Sequence, residues 1–317
     1  MVLVCSILLL VVVTGLFFNA MYKHTNAYCN QFIDIDKFKY LSTQSDQSID
    51  VVVLGSNAPK FAFDFSEIKY LTCENWAVGP ETFEYDFILF RKFAHKLKFG
   101  ATVVWPICPG NFFFYKFLNQ SNLTKYYRIL SQDEFPEYSK KQYIKEYKYP
   151  LFYHPKCIKY LIKDIPQDLR MNLYKNLLDV EGVKKDAKWW IYNCWNSEFD
   201  IDIENMQPLS ERNRRAVEEN VRIVREMAQY CKDNGFRLLT IYLPLTKELG
   251  NFFSSMYVES QMTAYVKLAT ENYNVDLVDY MRDERFQSSD YYINSFFMNR
   301  KGAMIFTKTF VEENIIN

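Results

Sequence analysis

Apolar and polar positions along this chain fall into three kinds of stretch. The first, residues 2–21, carries no charged residue and is built mainly from Val, Leu, Ile and Phe. About 20 apolar residues cross a bilayer core of about 30 Å, so this run predicts a membrane-spanning helix. A cleaved signal peptide has a similar apolar core. Here no small-x-small cleavage site follows, because the run leaves through Phe17, Phe18, Asn19, Ala20, Met21, Tyr22 and Lys23, and an uncleaved anchor is favoured. Residues 23–48 are polar and mixed, and read as a connector.

The second kind of stretch is short, apolar and β-branched. Val51, Val52, Val53 and Leu54 form a run too short for a helix and suited to a strand buried on both faces. It stops at Gly55, Ser56 and Asn57. Tyr70–Cys73 is a candidate second strand, leading into Asn75–Gly79. Ala101–Ile107 is a third, ending at Cys108, Pro109, Gly110 and Asn111. Further strands are expected at Phe236–Leu243 and Val275–Asp279.

The third kind has helical periodicity. Phe83, Phe87, Phe90, Ala94 and Leu97 share one face of a helix expected from about Glu81 to Lys98, with Gly100 as its C-cap. Ser210 can cap a helix whose stripe is Val217, Val221, Val224, Ala228 and Cys231. Arg212, Arg214, Arg215, Glu218 and Glu219 lie off that stripe on a solvated face. Helices over about Ser255–Asn272 and Asn299–Glu313 complete the alternation. The order is that of an α/β domain with a parallel sheet over residues 49–317, its loops Gly55–Asn57 and Asn294–Asn299 at the carboxyl edge. The rhythm breaks over residues 112–208, rich in Tyr, Phe, Trp and Lys. We read that stretch as an insertion forming a cap over the strand ends. Its aromatic rings could stack on sugars or simply pack the cap down.

Charge narrows the function. Basic and acidic side chains balance at 38 each, which argues against a nucleic-acid binder held by bulk electrostatics. Seven scattered cysteines without a C-x-x-C pair, and only three histidines, argue against a zinc site, and the thiols read as buried rather than disulfide-bonded. No cofactor is expected. The membrane is a partner through residues 2–21. Lys23, Lys37 and Lys39 follow that run, which on charge alone leans towards a cytoplasmic body.

The sequence of loops Gly55-Ser56-Asn57, Asn75–Gly79 and Cys108–Asn111, then Asp290–Ala303 with Asn299-x-x-Gly302 before the last helix, resembles the SGNH (GDSL-like) hydrolase superfamily. It is most similar to the membrane-anchored branch related to teichoic-acid D-alanine transfer and alginate acetylation proteins. The likeness covers roughly residues 49–111 and 210–312. It implies a flavodoxin-like α/β/α sandwich, an extracytoplasmic domain, and a serine nucleophile with a histidine base oriented by an aspartate. The slots for those three hold Asn57, Phe297 and Asn294. An amide is a poor nucleophile, and a phenyl ring accepts no proton. The family's oxyanion donors fall on Gly79 and Asn111, beside Gly55 and Ser56.

Substitutes for the lost groups are few. Ser56 lies one position early, and Ser295 sits near the lost base. His154, in the insertion, could swing over the pocket as a base, whereas His95 reads as a helix-surface residue. Asp279 and Asp290 end near the same edge. Lys60 and Lys247 are either anion contacts or surface charges. Two functions follow: a catalytically depleted protein of the cell envelope or of exopolysaccharide handling that binds glycan or an envelope-assembly protein, or an acyl esterase or transferase acting on a polysaccharide with non-standard residues.

Overall fold

The uncharged run at the start of the chain forms one continuous helix, α1 (Val2–Tyr22), long and apolar enough to cross a membrane. A computed structural model describes residues 2–114, 116, 120–163 and 178–316. The chain forms two compact units, one of residues 1–43 and 117–168, the other of residues 44–116 and 169–317.

In the first unit, the polar stretch after α1 is not a plain connector. The Thr25 hydroxyl accepts from the Tyr28 amide at 3.3 Å and starts a short turn, followed by α2 (Ile33–Leu41). Tyr28, Phe32, Ile35, Phe38 and Leu41 are all buried, at spacings of three and four that put them on one face. The polar residues between them mask this stripe in an average over the sequence. Arg128 holds the stripe from the other segment of the unit, ion-paired with Asp36 at 2.6 Å while its guanidinium lies 4.2 Å from the Phe32 ring centroid. Tyr127, Phe135, Tyr143 and Tyr147 pack ring on ring beyond it.

The second unit is the expected α/β sandwich. Its strands are β1 (Ile49–Val53), β2 (Cys73–Asn75), β3 (Leu97–Pro106), β4 (Arg237–Tyr242) and β5 (Asp276–Asp279). They form one sheet in the order β2-β1-β3-β4-β5 with every pair parallel, which is the flavodoxin-like order. Val51, Val52 and Val53 are fully buried, as a central parallel strand covered on both faces requires. The helices that flank or end the strands are α3 (Asn57–Ala62), α4 (Phe83–Phe93), α5 (Val180–Trp189), α6 (Glu211–Asp233), α7 (Ala264–Thr270) and α8 (Arg300–Asn314). Ser210 caps α6 through the Asn213 amide, and Asn299 caps α8 through the Gly302 amide at 3.0 Å.

Three local expectations are corrected. The second strand falls at Cys73–Asn75, just after the apolar run that suggested it. Gly100 lies within β3 rather than capping a helix: pairing passes from Ile49↔Leu97 to Val51↔Thr102, so the chain bulges, and Gly100 supplies the φ of +81° the bulge needs. The thiols are also less hidden than composition suggests, since Cys231 is buried while Cys29, Cys73, Cys108, Cys157 and Cys194 are half-buried and Cys5 is exposed.

The stretch 112–208 does not behave as one piece. Residues 120–163 belong to the first unit and 178–208 to the second, and residues 115, 117–119 and 164–177 lie outside those described. Residues 178–208 do pack on the loops at the strand ends. Asp186 of α5 holds the Ser295 loop, and the Phe199 ring covers Gly110, where a Cβ would come within 2.5 Å of it.

Candidate functional site

All five strands run the same way, so their carboxyl ends share one edge, and there the loops are tied to one another. After β1, Gly55 turns the chain at a φ of +108°. Its carbonyl accepts from the Val78 amide at 2.8 Å, and the Ser56 hydroxyl accepts from the Glu81 amide at 3.0 Å. The loops following β1 and β2 are therefore zipped together. Asn57 opens α3 directly against Gly79: a Cβ built there would stand 1.6 Å from Asn57 Oδ1. Only glycine leaves room for this amide.

Beneath this turn lies a carboxylate that sequence reasoning missed. Asp86, in the first turn of α4, accepts from the Gly55 amide at 3.0 Å and from Trp105 Nε1 at 2.8 Å. It is 5% exposed, and each of its oxygens has a donor, as a buried charge demands. The signal was an acidic residue set among the apolar positions Phe83, Phe87 and Phe90 of the same helix.

Asn111 follows β3 in a tight turn. Its Oδ1 accepts from the Cys108 amide, and its carbonyl accepts from Asn220 Nδ2 at 3.3 Å. The oxygen of its side chain thus builds the turn, and its amino group is the half with oxyanion-donor chemistry. Burial pushes the nearby Cys108 thiol up to about 12, with the Asp86 carboxylate acting in the same sense, so this thiol is no nucleophile near neutral pH.

The loop before α8 completes the edge. Asn294 Oδ1 accepts from the Phe296 and Phe297 amides at 2.9 and 2.7 Å, a turn-forming use of the side chain. The Phe297 ring packs on Phe61, one helical turn beyond Asn57 on α3, with centroids 5.0 Å apart. It also meets Trp190 at 5.5 Å, and Trp190 meets the half-exposed Trp189 at 5.3 Å. A row of aromatic rings therefore runs from α3 to the surface of residues 178–208. Beside Phe61 opens a cleft of about 580 Å³, its wall including Lys60, Glu74, Asn75, Met298 and Arg300. Arg300 is paired there with Asp64 at 3.0 Å. Gly55, Ser56, Asn57, Gly79 and Asn111 do not line this cleft.

The serine and histidine candidates are all engaged. Ser295 is fully buried, and both its amide and its hydroxyl donate to Asp186 Oδ2, at 2.9 and 2.5 Å. Its carbonyl accepts from Thr246 Oγ1, after β4, at 2.8 Å. This serine–carboxylate pair fastens a loop, with the serine hydroxyl away from solvent. His154 belongs to the other unit, where it pairs with Glu146 at 2.8 Å. His95 is exposed, 3.7 Å from Asp46. Asp279 accepts from the Met281 amide, the Asp290 carbonyl accepts from Asn299, and Lys247 is exposed. No group of three or more His, Cys, Asp or Glu placed to hold a metal occurs among the described residues.

A scan of protein-family models and a search of curated proteins find no match to this chain.

Proposed function

We propose that the α/β unit is an SGNH-like domain that has kept the family's loops and lost its hydrolytic groups, and that it binds glycan at the cell envelope from a membrane-anchored chain. The observation that carries this reading is the pair Phe61–Phe297: an aromatic contact occupies the slot where the resemblance puts a histidine base. Asn57, in the nucleophile slot, has no hydroxyl and is packed against Gly79. The strand order and the tied loops at the carboxyl edge are what such a domain requires.

What remains is binding chemistry. The cleft beside Phe61, with the cationic Lys60 and Arg300 in its wall, and the half-exposed Trp189 ring at the surface of residues 178–208 supply stacking and polar contact, the usual means of holding a sugar ring. The alternative, a polysaccharide acyl esterase or transferase, needs Ser56 or Ser295 as nucleophile. Ser56 already accepts from the Glu81 amide, and Ser295 is sealed on Asp186. Extracytoplasmic placement of the domain follows from the resemblance, and a membrane-impermeant maleimide should label a Lys308→Cys variant in intact cells.

The test uses the full chain in detergent. It should leave p-nitrophenyl acetate hydrolysis at the rate of buffer and resist a fluorophosphonate serine probe. Acetylated alginate should change its tryptophan fluorescence saturably, and Trp189→Ala should weaken that response. Covalent labelling of Ser56 or Ser295 would overturn the reading in favour of the esterase.

A further inference from the structure

Within the first unit, α1 has a second element packed against its last turns. From Val2 to Tyr22 every residue is exposed except Gly15, Asn19 and Tyr22, whose spacing places them on one face. That face meets the turns Pro150–Tyr153 and Lys159–Ile162 and the residues between them. A Cβ on Gly15 would stand 2.8 Å from the Phe152 ring. Asn19 Nδ2 donates to the Lys148 carbonyl at 3.2 Å, and its Oδ1 accepts from the Leu151 amide at 3.1 Å. An amide in a helix without charged residues thus satisfies backbone groups of the segment beside it, as a low-dielectric setting requires. Gly15 lies about 10 Å inside the end of α1, from the helical rise.

The outer side of this segment has a composite chemistry. Tyr153, Ile158 and Ile162 are exposed, Ile162 by 90%. Between and beyond them stand the exposed lysines Lys156, Lys159 and Lys163, and residues 149–163 contain no acidic side chain. Apolar side chains beside lysines that can reach outward make a surface suited to the boundary between acyl chains and anionic headgroups. The occupant of this surface follows from its neighbour, because a segment seated on Gly15 and Asn19 lies at the depth of the membrane wherever α1 crosses it.

We infer that residues 149–163 form a second membrane-embedded element, lying in the interfacial layer of the bilayer against the last turns of α1. The inference rests on α1 remaining as the anchor. Asn19 and Gly15 then serve as the docking face for this element, and the lysines meet the headgroups.

The test reconstitutes the full chain into phosphatidylcholine–phosphatidylglycerol vesicles containing a lipid with a photoreactive acyl chain, and maps the labelled peptides by mass spectrometry. Acyl-chain labelling is expected on 2–22 and also on 149–163. Ile158→Asp together with Ile162→Asp, both at exposed positions, should reduce labelling of 149–163 about tenfold while that of 2–22 persists. Labelling confined to 2–22, or unchanged in the double variant, would overturn the inference and leave the anchor standing. A membrane-extracted chain whose amino terminus begins after Tyr22 would instead remove the anchor, and the inference with it.

Discussion

The side-chain oxygen of Asn57 fills the space that a Cβ on Gly79 would need, at a separation of only 1.6 Å. The loops after β1 and β2 can close on each other because one residue lacks a side chain and the other offers a flat amide. Gly79→Ala should therefore expel Asn57 from its position and destabilise the chain by about 1–3 kcal/mol, the range for overpacking. Asn57→Gly should relieve the clash, so the double variant should be more stable than the sum of the single effects implies. Urea unfolding of the four proteins checks this. Strict additivity would mean the two residues do not share the space.

Asp86 should be the least replaceable polar residue of the site. Asp86→Ala strands the Gly55 amide and Trp105 Nε1 without an acceptor in a buried position, a loss of about 2–4 kcal/mol. Trp105→Phe removes only one donor and should cost less. Near-ultraviolet circular dichroism and urea midpoints of both variants give the order.

The legible parts of the fold were those with a period. The valines of β1, the stripe of α6 and the cap at Ser210 stand as read, because burial and capping leave local marks. Three features left no such mark. The bulge in β3 turns Gly100 from a helix cap into a strand residue, and only the pairing with β1 reveals it. The helix at Ile33–Leu41 is built on the apolar positions Ile35, Phe38 and Leu41 within a polar average. The roles of Asp86 and Asp186 depend on partners 31 and 109 residues away, a separation no local pattern encodes.

Alkaline conditions should weaken the fold through its thiols. Burial pushes Cys108 and Cys231 each up to about 12, with Asp86 adding to the effect at Cys108. A pKa raised on folding lends stability that is complete below the unfolded thiol value, near 9, and is lost as pH rises from there towards 12. The loss is on the order of 1 kcal/mol for each of these two thiols at pH 10. Burial raises the Tyr292 hydroxyl as well, which acts in the same direction. Urea midpoints should fall between pH 8 and pH 10, and Cys231→Ala should show a smaller fall. A flat profile would show that these thiols titrate normally in the folded chain.

The strongest test of the triad-equivalent slots is to refill them. Asn57→Ser places a hydroxyl at the start of α3, and Asn294→Asp keeps an oxygen able to accept from the Phe296 and Phe297 amides. Phe297→His exchanges the ring that now packs on Phe61 for one that can take a proton. If the three positions correspond to a serine, an aspartate and a histidine of one catalytic group, the triple variant should gain labelling by a fluorophosphonate probe at residue 57. Each single variant should gain none, since a nucleophile without its base stays inert. The same variants separate a lost activity from a relocated one: labelling at Ser56 or Ser295 in the unaltered chain would mean the nucleophile had moved. Ser56→Ala should then abolish labelling at residue 56, and Ser295→Ala labelling at residue 295. With Ser295 sealed on Asp186, Ser295→Ala is expected to alter stability and no reaction.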